Sequence, residues 1–316
     1  MAGISLGYLK LLQAFRGVMG GTLNSFFAFI TTIAVDHWIV VPGLIVFWAF
    51  NKKNGVYMLS ALGFGKYINA VLKSVFCVYR PWIRDPEIHP LEEVMSGATG
   101  YSFPSGHASG AGSFYCSLIR IYRKYKGLCV FFGLMILITM FSRNYVGVHT
   151  PEDVLVGCLV GIGAAYLAAK VLDWVDSHPD KDWVVLAAAT AITVLVLLYI
   201  RFKAYPMDYV DGQLLVDPKK MTVDGFKDPG CGYGTVLGWF IERRYIKFDT
   251  SGTPQQKLLR CLSGALLYVF IQLAVVGPLG KAVGVGIVHF LLQAVAIALF
   301  MTVYPIIFTA FEKRHK

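Results

Sequence analysis

The chain has 316 residues, of which 56% are hydrophobic and 15% charged, with a formal net charge of +10. Soluble domains are less apolar, so an ordinary soluble fold is excluded and an integral membrane protein of several spans is indicated. Most Lys and Arg flank apolar runs, which assigns the positive charge to cytoplasmic loops rather than to nucleic acid.

Residues 1–21 carry Lys10, Gln13 and Arg16 at three-residue steps, with Leu6, Leu9, Leu12 and Phe15 on other faces. That pattern predicts an amphipathic helix lying on the membrane surface. It lacks the basic start, apolar centre and small-residue cleavage site of a signal peptide. The next apolar run, 22–50, is interrupted by Asp36-His37. It is either one tilted span or a re-entrant half followed by a short span. The second span, 55–72, places Lys66, Asn69 and Lys73 at spacings of three and four, on one helical face directed into the bundle. For Lys66 a structural ion pair with Asp36 and a catalytic role are both open. Residues 74–103 form a loop rich in Pro and acids.

The third span opens at Ser105 and runs to about Ile121, followed by Arg123, Lys124 and Lys126. The fourth span is 128–146 and the fifth 153–172. Thr150-Pro151-Glu152-Asp153 announces the fifth, with Thr at the N-cap, Pro at the first helical position and an acid three residues after the cap. A sixth span, 183–200, precedes a polar stretch, 201–230, that reads as an exposed loop. Residues 231–316 form a C-terminal transmembrane extension. Its parts are a short apolar run at 231–241, which crosses only if its helix begins near Gly225, and spans at 258–277 and 285–309. The fold class is all-α: a polytopic helical bundle with a six-span core over 22–200 and about three further spans. The six cysteines, Cys77, Cys116, Cys129, Cys158, Cys231 and Cys261, show no CxxC spacing and read mostly as small core residues. A Cys77–Cys231 disulfide is left open.

Loops 51–54 and 120–127, the segment 243–257 and the C-terminal tail are all basic, which places them on the cytoplasmic side. Three segments then share the opposite face: the end of the second span with its loop, the start of the third span, and the link between the fourth and fifth. The first carries Lys73 and Arg80-Pro81, separated by six residues. The second is Pro104-Ser105-Gly106-His107, opening a helix. The third is Ser142-Arg143, five residues, His149, three residues, Asp153. Lys73, Arg80 and Arg143 supply three fixed positive charges suited to a phosphate dianion. A helix N-terminus at Ser105, Gly106 and His107 offers backbone N–H groups to an anion. His107 and His149 are enough for one nucleophile and one acid/base.

This three-part pattern resembles the type 2 phosphatidic acid phosphatase and vanadium haloperoxidase superfamily, and Tyr145-Val-Gly-Val-His149 is similar to bacterial lipid phosphatases and sphingosine-phosphate phosphatases. The match covers about 73–153. The resemblance implies that His149 is the nucleophile and forms a phosphohistidine. It implies that His107 protonates the leaving group and then activates water, and that Asp153 orients His149. Lys73, Arg80, Ser105, Gly106 and Arg143 would bind phosphoryl oxygens. No metal and no cofactor are implied. The expected substrate is a lipid phosphate or diphosphate, such as polyprenyl diphosphate, phosphatidic acid, phosphatidylglycerophosphate or sphingosine phosphate. It would be met at the outer face of a plasma membrane. Membrane lipids are the other expected partners, and a homodimer is compatible with the extension.

Simpler readings stand beside these. Ser105 serves equally as an N-cap, Lys73 and Arg80 as snorkelling cations, and His107 as a buried polar residue. Asp153 fits the cap of the fifth span. Cap and catalytic partner are compatible if one carboxylate oxygen accepts from His149 and the other from a backbone N–H. His37, His89, His178, His289 and His315 lack such company. Rival functions are a lipid transporter or scramblase carried by the extension, a haloperoxidase, and a soluble sugar-phosphate phosphatase on the same core.

Overall fold

The computed structural model describes residues 2–33 and 37–314. In chain order its helices are α1 (Ala2–Val18), α2 (Asn24–Ile33), α3 (His37–Ala49), α4 (Lys52–Phe76), the single turns α5 (Pro81–Arg84) and α6 (Glu92–Met95), α7 (Gly106–Ile121), α8 (Lys126–Tyr145), α9 (Pro151–Ser177) and α10 (Asp182–Phe202). A two-stranded hairpin, β1 (Tyr209–Val210) with β2 (Gln213–Leu214), leads to α11 (Pro218–Ile241), α12 (Pro254–Ile271), α13 (Gly277–Val283), α14 (Gly286–Met301) and α15 (Val303–Arg314). The long helices start where local chemistry dictates. Asn51 accepts the Asn54 N–H at 2.9 Å to cap α4, and Asp217 accepts the Lys219 N–H at 2.8 Å ahead of Pro218. Thr150-Pro151-Asp153 and Thr253-Pro254-Gln256 form full capping boxes on α9 and α12.

Among the described residues six segments are long and apolar enough to cross a membrane: Lys52–Arg84, Lys126–Tyr145, Pro151–Ser177, Pro179–Phe202, Pro254–Val283 and Gly286–Arg314. The protein is therefore a polytopic all-α membrane protein. Neither α7, which has 16 residues, nor the more polar α11 is among the six. α7 packs against α4, α8 and α9, and α11 against α4, α10 and α14. A helix surrounded by protein need not be apolar all round, and small residues let backbones touch. On α7 the hydroxyls Ser109, Ser113 and Ser117 are buried. A Cβ on Gly161 of α9 would sit 2.2 Å from the Ser109 carbonyl oxygen, and one on Gly112 of α7 would sit 2.7 Å from the Cys158 carbonyl oxygen. Gly230 and Gly234 of α11 press on α14 in the same way. The main apolar core lies between α3, α4, α9, α11, α12 and α14, around Phe47, Trp48, Leu59, Leu62, Ala168, Tyr268 and Ile297.

The run 22–50, left open between one tilted span and a re-entrant half followed by a short span, is two short helices, α2 and α3, and Asp36 lies outside the described residues. The exposed loop expected at 201–230 extends only to Asp217. Its Pro, Asp and Gly residues are helix-start and contact residues: Asp217 caps, Pro218 takes the first helical position, and Met221, Phe226, Pro229 and Gly230 are buried. Residues 231–316 are therefore entered through a helix that begins at Pro218. All six cysteines are free, so Cys77 and Cys231 form no disulfide.

The polar side of α1 grips the loop after α4. Lys10 pairs with Asp85 at 2.9 Å and Glu87 at 2.5 Å. Gln13 accepts the His89 N–H at 2.7 Å, Arg16 donates to the His89 carbonyl at 2.6 Å, and Ser5 donates to Glu152. Its outward residues Ile4, Leu11, Phe15 and Val18 are exposed.

Candidate active site

Four pieces of chain converge at one end of the bundle. The last turns of α4 present Lys66, Asn69 and Lys73. The loop that follows carries Arg80, and residues 97–104 return to the start of α7. The last turn of α8 carries Arg143, and a short link containing Gly147 brings His149 to the cap of α9. Gly147 has φ of +79°, and its Cα faces Pro90 so closely that a Cβ would lie 3.1 Å from the Pro90 Cα; the link takes this path because glycine permits it. Asn144 fixes the His149 carbonyl at 2.9 Å.

Together these pieces enclose a cavity of about 230 Å³ lined by Lys73, Arg80, Gly106, His107, Arg143 and His149. Six of the eight expected site residues thus share one surface. Asp153 and Ser105 do not line it. Both are buried behind it, Asp153 in contact with His149 and Ser105 in the wall. The Ser105 side chain accepts the Ala108 N–H at 3.5 Å as the cap of α7, and its backbone N–H donates to the Asp153 carbonyl at 2.9 Å. The residue expected to hold a phosphoryl oxygen is placed as a helix cap that ties α7 to α9.

His149 is buried, with Nε2 3.0 Å from Arg80 Nη1. A guanidinium can only donate, so Nε2 is the acceptor and the ring proton sits on Nδ1. Nδ1 lies 3.2 Å from Ser102 Oγ and 3.4 Å from Asp153 Oδ2. Ser102 in turn donates to Asp153 Oδ2 at 2.5 Å, and the same oxygen accepts the Thr150 N–H at 2.8 Å. The division expected for Asp153, one oxygen for the cap and the other for the histidine, is not what is seen. A single oxygen meets cap, serine and imidazole, because the capping box already fixes which oxygen points back toward residue 149. Burial, then the charges of Arg80, Arg143 and Lys73, push the His149 pKa well below its usual 6.5. The ring is neutral at pH 7, with its lone pair on the cavity side.

The three cations are held differently. Lys73 Nζ donates to the carbonyls of Tyr101 at 2.9 Å and Pro104 at 3.2 Å. Arg80 donates to Gly100 at 3.1 Å, Thr99 at 2.9 Å and Val148 at 3.0 Å. Both cations therefore shape the loop at 99–104 as well as the field in the cavity. Arg143 donates through Nη1 to Thr31 Oγ1, while its buried Nε–H has no partner among the described residues. An unmet buried donor costs about 1–3 kcal/mol, and an anion in the cavity is the natural means of offsetting it.

Several residues of the site carry no signal in the three motifs. Ser102, buried behind the cavity, stands within Tyr101-Ser-Phe-Pro-Ser-Gly-His107 and has no spacing signal of its own. Thr99, Asp224, Lys227 and Asp228 line the cavity. The last three come from the segment read as a loop; their spacing of three and four after Asp217-Pro218 was the available sign of a helical face. Lys66 donates to Asp228 at 2.8 Å. Of the other histidines, His178 stacks on Trp174 and His89 is held by α1.

Comparison with known proteins gives two family matches. Residues 54–176 match the PAP2 superfamily, and residues 226–316 match the transmembrane extension of PAP2 superfamily phosphatases. The chain is 29% identical to undecaprenyl-diphosphatase BcrC of Bacillus subtilis over 56% of this chain and 89% of that one. It is 27% identical to an undecaprenyl-diphosphatase of Sulfolobus acidocaldarius over 48% of this chain and 71% of the relative. It is also 27% identical to a lipid A 4'-phosphatase of Porphyromonas gingivalis over 51% and 71%. No solved structure matches significantly. A cation-lined cavity built from the matched region, followed by helices that match the family's own extension, makes this chain a multi-pass membrane phosphatase of the PAP2 superfamily.

Proposed function

We propose that the protein hydrolyses a lipid phosphate or diphosphate through a phosphohistidine at His149. The observation that carries this reading is the neutral, buried His149, whose Nε2 faces the cavity 3.0 Å from Arg80 and whose Nδ1 is backed by Ser102 and Asp153. In the first step Nε2 attacks phosphorus in line, the bond to the leaving oxygen breaks, and His107 supplies the proton to that oxygen. The Arg80 N–H that holds Nε2 passes to a phosphoryl oxygen. In the second step water attacks phosphorus, gives its proton to His107, and the P–N bond breaks. Lys73, Arg80 and Arg143 stabilise charge on the equatorial oxygens through both steps. The N-terminus of α7 at Gly106 adds backbone donors.

The cavity is smaller than the roughly 300–1,000 Å³ of pockets that enclose a drug-sized ligand. It suits a headgroup whose tail stays in the bilayer. The diphosphatase and lipid phosphatase names of the relatives support the same class. Polyprenyl diphosphate, phosphatidic acid, phosphatidylglycerophosphate and sphingosine phosphate types all satisfy it. Lys52–Glu242, Lys53–Asp176, Arg120–Asp173 and Arg244–Asp182 pairs gather the basic loops at the end of the bundle away from Lys73. With those loops cytoplasmic, the cavity opens on the outer face of a plasma membrane.

The test is phosphate release by the detergent-purified protein from a panel of lipid mono- and diphosphates, with a chelator present and vanadate as competitor. The expected result is vanadate-sensitive, chelator-resistant turnover that His149→Ala abolishes and His107→Ala lowers by roughly 100- to 10,000-fold. Full turnover by His149→Ala would overturn the nucleophile assignment, and loss of activity with the chelator would overturn the mechanism.

A further inference from the structure

The cavity has a wall that the three motifs do not supply. Lys73, Arg80, Arg143 and the two histidines come from α4, α7, α8 and the loops joining the core helices. Across from them stands α11, with Asp224, Lys227 and Asp228 on one face, and α4 adds Lys66 two turns before Lys73. Lys66 is only 20% exposed and pairs with Asp228 at 2.8 Å, so a core helix and the extension helix meet through an ion pair at the cavity surface. Asp224 also accepts from Thr99 Oγ1 at 3.2 Å, beside the carbonyl that holds Arg80. Ionisable groups at this depth in a membrane protein are costly and are retained where they act.

One reacting phosphoryl group is already served by the three motif cations. Two more lysines on the same cavity exceed what a monophosphate requires. We propose that Lys227 and the Lys66–Asp228 pair form a subsite for a second phosphate, so that the extension helix α11 sets a preference for lipid diphosphates over lipid monophosphates. The proposal rests on the phosphatase reading above. In the diphosphate, His149 attacks the terminal phosphorus and the bridging P–O bond breaks. The electron pair leaves on the oxygen of the lipid monophosphate, whose charge lies against Lys227 and Lys66. A phosphate leaving group has a pKa near 6 and departs with less help from a general acid than an alkoxide does. Asp228 holds Lys66 in place and limits the charge of the wall when no diphosphate is bound.

The experiment compares kcat/KM for farnesyl diphosphate and farnesyl monophosphate, which share a tail, on the purified full chain. The variants are Lys227→Gln, Lys227→Arg and the double change Lys66→Gln/Asp228→Asn, which removes the pair without stranding one charge. The diphosphate-to-monophosphate ratio is expected to fall at least tenfold in Lys227→Gln and in the double variant, and to recover in Lys227→Arg. A ratio unmoved in both would overturn the proposal. Thermal protection by inorganic pyrophosphate against inorganic phosphate reads the subsite without catalysis. Stronger protection by pyrophosphate that disappears in Lys227→Gln supports it, and equal protection of the wild type by the two anions overturns it. A wild type that hydrolyses neither lipid yet shows that pyrophosphate preference would sink the phosphatase reading and keep the subsite.

Discussion

Ser102 shows how much of this site depends on a residue that does not itself touch the cavity. Its hydroxyl joins Asp153 at 2.5 Å to His149 Nδ1 at 3.2 Å, while the direct distance from Nδ1 to the carboxylate is 3.4 Å. A hydrogen bond to a charged group contributes about 1.5–3 kcal/mol. Ser102→Ala is therefore expected to lower kcat roughly 10- to 100-fold with KM little changed, as read in steady-state kinetics; a change confined to KM would contradict this positioning role. His149 gives a second prediction. Its folded-state pKa lies below the unfolded value of 6.5, so unfolding takes up a proton as pH falls. The stabilisation present above pH 6.5 is lost progressively below it, at up to about 1.4 kcal/mol per pH unit. Between pH 6.5 and 5 the melting temperature of the wild type should fall more steeply than that of His149→Asn, and parallel slopes would contradict it. The motif residues were legible because basic side chains and histidines are rare in apolar surroundings and their spacing carries information. Ser102 was not, since a lone hydroxyl has many uses. For Ser105 the chain leaves two uses open, since a serine before a helix looks the same whether it caps or binds, and its hydroxyl caps α7.

At the level of elements, the site exists because α7 and α9 lie nearly in backbone contact. The first brings Gly106 and His107, the second Asp153, and their register fixes one against the other. A Cβ at Gly161 would lie 2.2 Å from the Ser109 oxygen and 2.6 Å from the Ser113 nitrogen. Those are backbone atoms that cannot swing aside, and overpacking of this kind costs about 1–3 kcal/mol. Gly161→Ala is expected to lower the melting temperature and reduce turnover together. The same change at Gly163, where a Cβ meets nothing within 4 Å, should alter neither. Helix starts were readable from caps: Thr150-Pro151 and Ser105 stand where the sequence puts them. The helix at 218–241 was not readable as such, because its glycines, Pro229 and acids imitate a loop. They are tolerated where a helix is walled in by α4, α10 and α14, and only the packing reveals that.

For the whole molecule, composition alone conveyed a polytopic helical protein, and the basic loops conveyed which ends belong together. What composition could not convey was that the C-terminal helices share a cavity with the core, since that needs contacts between residues 66 and 228. Nor could it show what α1 holds. Deletion of residues 2–20 removes the contacts of Lys10, Gln13 and Arg16 to Asp85, Glu87 and His89, and that of Ser5 to Glu152, next to Asp153. Such a truncation is expected to depress hydrolysis of vesicle-embedded lipid more than that of a short-chain, water-soluble phosphate. Equal losses would show that α1 contributes fold stability only. The consequence of that docking is mechanical. Ile4, Leu11, Phe15 and Val18 face outward while the opposite side is fastened to the first turn of α9 and the loop at 85–89. With that apolar side at the lipid boundary, α1 would set the depth at which Glu152 and the loop at 85–89 sit, and turnover would then vary with bilayer thickness and headgroup crowding even with the chemistry unchanged.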